Sequence, residues 1–200
     1  MKHTFGKQAK RAGIALAAVG AFAVLGVGTA QAAEFASADI SVETQGEEAG
    51  GLNCSFRETG LGPYALVTYS CGATDVGVVS QCMYKNKPVG DPLPVVHFEN
   101  VSNAGGEGEV EALLANNSGR INATVTAALP EAGGEQHPCA EPTVETVTSV
   151  RWCNASLVDT TNNITGAGPI DVFAQIERAG TGTVPSCADL ELIPPTPQPH

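Results

Sequence analysis

The feature that most constrains the fold of this chain is an alternating stretch at residues 109–129. Apolar and polar residues alternate there on both sides of a turn at 116–119. Centring the turn between Asn117 and Ser118 brings apolar residues face to face in three pairs: Leu114 with Ile121, Ala112 with Ala123 and Val110 with Val125. Alternation with a period of two that agrees across a turn predicts a β-hairpin with one buried face.

Short strand-like segments recur along the rest of the chain, and no stretch after residue 32 has a helical period. The segments cover residues 40–42, 52–57, 64–71, 76–84, 95–101, 143–153, 155–161 and 170–177. Such segments, separated by Gly and Pro, predict an all-β fold, either an antiparallel sandwich or a barrel. The irregular links 85–94 and 130–142 suit chain crossings between two sheets. We therefore expect a disulfide-linked antiparallel β-sandwich, immunoglobulin-like or similar.

Residues 1–32 have the pattern of a secretory signal peptide. A basic start and an apolar run are followed by Ala30-Gln31-Ala32, which has the small-x-small form of a cleavage site. Cleavage there leaves a single domain, residues 33–192, and a Pro-rich tail, residues 193–200, which we expect to be extended and disordered. A retained membrane anchor is the alternative interpretation of the apolar run. The pattern predicts a secreted, extracellular protein.

The predicted mature chain is strongly acidic. Four of the ten Lys and Arg residues and none of the 21 Asp and Glu residues lie in 1–32, which leaves six against 21 and a net charge of −15. A surface of this sign repels phosphate backbones and anionic lipids. We therefore expect neither a nucleic acid nor a membrane surface as partner.

All six cysteines follow the predicted cleavage site: Cys54, Cys71, Cys82, Cys139, Cys153 and Cys187. An even number in an exported chain predicts up to three disulfide bonds. A turn at 60–63 would place Cys54 opposite Cys71, which is the first pair we expect. A structural zinc site is the alternative, but the spacings are wide and contain no C-x-x-C pattern. No metal and no cofactor are therefore predicted.

The histidines offer the first candidates for catalysis, which requires a Ser or Cys beside a His that a third group orients. The candidates are His97, His137 and His200, of which only His97 lies on a predicted strand. Glu99 and Asp91 are the groups that could orient it. No G-x-S-x-G pattern surrounds any serine, so we interpret His97 as a strand residue half exposed to water.

Acidic residues offer two further candidates. Glu107, Glu109 and Glu111 share one face of a strand, as either catalytic carboxylates or a solvent-exposed face. The predicted hairpin already places Glu109 and Glu111 on a solvent-exposed face. We therefore favour the second interpretation, which needs no sugar-binding cleft. The loop 159–163 is rich in oxygen ligands but lacks the residue order of a calcium-binding loop, so we expect a polar turn. No catalytic residue is predicted.

Three groups of short motifs follow one another between residues 64 and 165. They are Tyr69-Ser70-Cys71 with Cys82 and Lys85-Asn86-Lys87; Leu114-Ala115-Asn116-Asn117-Ser118-Gly119 with Ala123-Thr124-Val125-Thr126; and Pro138-Cys139 with Ser149-Val150-Arg151-Trp152 and Leu157-Val158-Asp159-Thr160-Thr161. In this order the chain resembles small exported β-sandwich proteins of actinobacteria, which are of uncharacterised function. The resemblance implies export and a β-sandwich, and it supplies no catalytic residue. Trp152-Cys153 departs from it, because related chains tend to have Tyr there.

Three functions are compatible with the sequence. We favour a secreted non-catalytic exoprotein, a structural or surface-binding module whose partner is an extracellular protein or a cell-wall component. The alternative is an extracellular protease inhibitor that presents the loop 135–141, pinned by Cys139, with the loop 60–64 as a weaker candidate. A secreted hydrolase is the third.

Overall fold

The computed structural model describes residues 32–46, 48–103, 112–130, 139–177 and 180–196. Strands make up most of the described residues, as the sequence predicts. In chain order the elements are β1 (Glu34–Val42), β2 (Leu52–Thr59), β3 (Leu66–Val67), β4 (Tyr69–Tyr84), β5 (Lys87–Pro88), β6 (Val96–Ser102), β7 (Leu113–Leu114), β8 (Ile121–Ala127), β9 (Val144–Asp159), β10 (Ile164–Gln175) and the short helix α1 (Cys187–Leu190). The predicted signal peptide lies outside the described residues, apart from Ala32.

The strands of the described residues form three antiparallel sheets. The first sheet has the order β1-β2-β8. The second has the order β10-β9-β4-β5, and β6 also pairs with β4. The third contains only β3 and β7. The antiparallel pairing agrees with the prediction.

Two long strands, β4 and β9, form the centre of the second sheet. The sequence predicts two strands here, residues 143–153 and 155–161, with Asn154 between them. Asn154 does adopt a left-handed backbone conformation, with φ of 55°. The pairing with β4 nevertheless continues on both sides, from Asp75 opposite Cys153 to Gly72 opposite Ser156. A strand 16 residues long therefore absorbs one irregular residue, which the local sequence cannot show.

The predicted hairpin at 109–129 is only partly correct. Its turn is present, since the Gly119 amide donates to the Asn116 carbonyl at 3.0 Å. Among the described residues, its arms do not pair with each other: β7 pairs with β3, and β8 pairs with β2. As a result Leu114 is 60% exposed, whereas Ile121 is buried as predicted. Val110 and the residues 109 and 111 lie outside the described part of the chain.

One hydrophobic core contains side chains from both large sheets. Its largest side chains include Leu52 and Phe56 from the first sheet, and Tyr69, Phe98 and Trp152 from the second. The Trp152 indole N–H donates to the Gly50 carbonyl at 2.9 Å, which satisfies its only donor inside the core. Each such side chain contributes about 1.5–3 kcal/mol by its burial. The core therefore fixes the two sheets against each other.

Three disulfide bonds connect the elements, and they pair all six cysteines. They are Cys54–Cys71, Cys82–Cys139 and Cys153–Cys187. The first, which the sequence predicts, joins β2 of the first sheet to β4 of the second. The third joins β9 to α1. Disulfides of this number are typical of an oxidising, extracellular-type environment. Among the described residues, no helix has the length and apolar character needed to cross a membrane.

Candidate functional site

His97 lies on β6 and is only 1% exposed, so the prediction that it is half exposed is wrong. Its Nδ1 atom lies 2.6 Å from the Ile193 carbonyl oxygen, and its own carbonyl accepts a hydrogen bond from the Thr196 amide. The beginning of the Pro-rich segment 193–200 therefore contacts β6. The alternation of the strand cannot reveal this contact, because it comes from the far end of the chain.

The group that orients His97 is Asp75, not Glu99 or Asp91. The Nε2 atom of His97 lies 3.0 Å from Asp75 Oδ1, and Asp75 Oδ2 accepts a hydrogen bond from the Thr74 hydroxyl at 2.8 Å. Both ring nitrogens of His97 therefore have partners within the described chain, and neither partner is a serine hydroxyl. Glu99, exposed on β6, lies directly opposite Asp75 on β4.

Of the other catalytic and calcium-binding candidates predicted from the sequence, only the loop 159–163 lies in the described part of the chain. His137, His200 and the acidic residues 107, 109 and 111 lie outside the described part. The loop 159–163 is a polar turn, as expected: Asp159 Oδ1 accepts hydrogen bonds from the amides of Thr161 and Asn162. Asp159 Oδ2 accepts another from the Asn162 side chain. The carboxylate therefore closes its own turn.

A second polar cluster, Glu58, Tyr69 and Asp159, lies fully buried where the two large sheets meet. The Tyr69 hydroxyl donates to Glu58 Oε2 at 2.6 Å, and no described donor reaches Glu58 Oε1. Burial raises the pKa of Glu58 from 4.5 to about 7. The Tyr69 bond opposes this rise, and Asp159 adds to it. Burial, with the charge on Glu58, also raises the pKa of Tyr69 above its usual range.

Glu58 is not among the site residues predicted from the sequence, although a signal for it exists. Leu52, Cys54 and Phe56 alternate along β2, and the next residue in this series is Glu58. The same face is buried throughout, so the pattern places a carboxyl group in the core. Asp75 had no comparable signal, because its position follows from the pairing of β4 with β6.

An apolar surface is the third feature, and it consists of Tyr64, Leu66 and Leu114. Their exposed fractions are 64%, 63% and 60%. Leu66 on β3 lies directly opposite Leu114 on β7, and Tyr64 precedes β3. Beside β7 is a groove of about 340 Å³, whose lining includes Leu114, Arg120 and Ala123. Large side chains exposed in one place are typical of an interaction surface.

The loop before β3 is held in a defined conformation. The Leu61 amide donates to the Gly119 carbonyl at 3.1 Å, and the Tyr64 amide donates to the Asn116 carbonyl at 3.4 Å. Tyr64 itself has a φ of 59°, which few non-glycine residues adopt. A side chain at Gly119 would overlap the Leu61 carbonyl. The turn at 116–119 therefore supports the loop that displays Tyr64.

No family model, curated protein or solved structure matches this chain.

Proposed function

We propose that this protein is a secreted, non-catalytic module that binds an extracellular protein through the apolar surface of Tyr64, Leu66 and Leu114. The observation that carries the proposal is the exposure of these three side chains at neighbouring positions. Tyrosine is favoured at interfaces because it combines a large apolar ring with a polar hydroxyl. A partner face with apolar side chains surrounded by basic residues would suit both this surface and the predicted mature charge of −15.

We further propose that the two large sheets form an antiparallel sandwich, immunoglobulin-like or similar. The core that they share and the Cys54–Cys71 bond between them support this arrangement. It would present β3, β7 and the loop before β3 from a rigid scaffold. A rigid surface loses less conformational entropy when it binds a partner.

Photo-crosslinking tests the binding surface directly. A photoreactive phenylalanine analogue replaces Leu66 in one variant and Leu192, which is 81% exposed elsewhere on the chain, in the matched control. We expect a protein adduct from culture supernatant or cell-wall fractions only with the analogue at position 66. With that partner purified, Leu66→Asp should weaken binding at least tenfold and Leu192→Asp less than twofold. Equal effects of the two substitutions would contradict the proposal.

A protease inhibitor remains the second candidate, and the display of Tyr64 favours it. Tyr64 lies in the loop 60–64, which the disulfide Cys54–Cys71 encloses. The turn at 116–119 supports this loop through hydrogen bonds. The other candidate loop, 135–141, is described only from Cys139 onward. Inhibition assays against secreted proteases with chymotrypsin-like preference for aromatic residues test this function. Inhibition that Tyr64→Gly abolishes would favour it over the general binding module.

A further inference from the structure

Asp75 and Glu99 form an unusual pair at the junction of β4 and β6. They are directly opposite each other on neighbouring antiparallel strands, where two like charges repel. In the described part of the chain, no Lys or Arg forms an ion pair with either carboxylate. His97 is the neighbouring group of opposite potential charge, and one imidazolium ring cannot balance two carboxylates.

The hydrogen bonds of His97 leave two acceptor atoms facing each other in the same place. A carbonyl oxygen can only accept, so the 2.6 Å contact with Ile193 places a hydrogen on Nδ1. In the neutral ring Nε2 is then an acceptor as well, yet it faces Asp75 Oδ1 at 3.0 Å. Two acceptors at this distance require a proton or a cation between them, so the ring carries a second proton, the Asp75 carboxyl carries one, or a metal cation lies there.

We propose that Asp75, His97 and Glu99 bind a divalent transition-metal cation. One ligand atom from each of the three residues lies within 4.8 Å of the other two. A divalent cation balances both carboxylates, which a proton on His97 does not. It also takes the lone pair that the Ile193 contact leaves on Nε2.

The donor set indicates the class of cation. One imidazole nitrogen and two carboxylate oxygens suit Zn²⁺ or Mn²⁺, whereas Ca²⁺ takes oxygen ligands almost exclusively. Zinc bonds of about 2.1 Å in tetrahedral geometry separate ligand atoms by about 3.4 Å. The contact between Nε2 and Asp75 Oδ1 would open by about half an ångström to admit the ion. Three protein ligands on an exposed edge leave at least one coordination position to water.

The groups around the ligands have the arrangement that metal sites require. A ligating histidine usually donates its other N–H to a carbonyl or carboxylate, which fixes the ring, and here that partner is Ile193. Asp75 is held by the Thr74 hydroxyl, which in turn accepts from the Asn154 side chain at 3.1 Å. The site would thus connect β4 and β6, with the segment after α1 as its support.

Zinc binding to the oxidised chain without a polyhistidine tag tests this proposal. Isothermal titration with Zn²⁺ should show one saturable site per molecule that a tenfold excess of Ca²⁺ does not displace. Asp75→Asn and Glu99→Gln should each weaken binding at least tenfold. Asp39→Asn removes an exposed carboxylate on β1 and should change the affinity less than twofold. This control measures non-specific binding to an acidic surface.

Nitrogen NMR of the histidine rings provides a reading that does not depend on the variants. Added Zn²⁺ should shift the Nε2 resonance of His97 strongly and leave its Nδ1 proton in place. The absence of a saturable site, equal affinity in Asp39→Asn and Asp75→Asn, or an Nε2 resonance that zinc leaves unchanged would each overturn the proposal.

Discussion

This protein has two clusters in which carboxyl groups lie close together: a buried cluster and a cluster at the edge of a sheet. Glu58 and Asp159 lie fully buried between the large sheets, with Tyr69 as a neutral partner. Asp75 and Glu99 lie at the edge of the second sheet, where the Asp75 side chain is 16% exposed and Glu99 is exposed more fully. Both clusters bring two carboxyl groups close together without a Lys or Arg partner among the described residues.

The difference shows how burial selects the counter-charge. Removing a charged carboxylate from water costs several kcal/mol, so a buried pair is stabilised when one member takes up a proton. This is the physical cause of the raised pKa of Glu58. At the edge of the sheet, solvent reaches two of the three groups, and a cation from solution can enter. In the inner cluster, Glu58 and Asp159, burial therefore favours uptake of a proton. The outer cluster, Asp75 and Glu99, is suited to binding a cation.

The largest effect on stability is expected when a substitution introduces a further carboxylate, without a partner, into the core. Ile121 on β8 lies directly opposite Glu58 on β2. Ile121→Asp places a further buried acid there, and we expect it to cost about 5 kcal/mol, on the order of the whole stability of a domain. Thr124→Asp on the exposed face of β8 should cost about 1 kcal/mol or less. Thermal unfolding of both variants measures the contrast, and equal melting temperatures would show that the assigned faces are wrong.

The second effect is the contribution of Glu58 to the dependence of stability on pH. Because its pKa rises from 4.5 to about 7 on folding, the folded chain binds more protons than the unfolded chain between these values. The contribution of Glu58 is therefore fully present below pH 4.5 and is lost as the pH rises through 7. The difference between the two pKa values corresponds to about 3 kcal/mol of unfolding free energy.

Glu58→Gln mimics the protonated acid and should remove this loss. Urea unfolding at several pH values between 4 and 8.5 should show the wild-type stability falling relative to that of the variant. Glu34→Gln, at an exposed position on β1, should retain the wild-type profile. Parallel profiles for Glu58→Gln and the wild type would mean that Glu58 is charged throughout this range.

The smallest effect is expected in the outer cluster. With metal ions removed by a chelator, Asp75→Asn should change the unfolding free energy by less than about 1 kcal/mol. The asparagine amide N–H can donate to the Nε2 acceptor of neutral His97, its carbonyl oxygen can accept from the Thr74 hydroxyl, and solvent reaches the site. Chemical denaturation with and without the chelator measures this. A loss of unfolding free energy as large as the Glu58 contribution, about 3 kcal/mol, would contradict the distinction between the two clusters.

The sequence by itself determined the features that depend on neighbouring residues. Alternation predicted an all-β fold and the buried face of β8. The even number of cysteines predicted disulfide bonds, and the turn at 60–63 predicted the Cys54–Cys71 pair. The turn at 116–119 and the polar turn at Asp159 also follow from local residue types. These features need no knowledge of distant contacts, because side-chain period and turn chemistry operate over a few residues.

Only the tertiary structure decided which segments meet. The same alternation fits an arm that pairs with its neighbour and an arm that pairs with a distant strand, so β7 and β8 could not be assigned partners from sequence. For the same reason the partner of His97 was missed: Asp75 precedes it by 22 residues, and Ile193 follows it by 96. The chemistry of both carboxylate clusters arises from such contacts, because burial and charge proximity are properties of the packed chain.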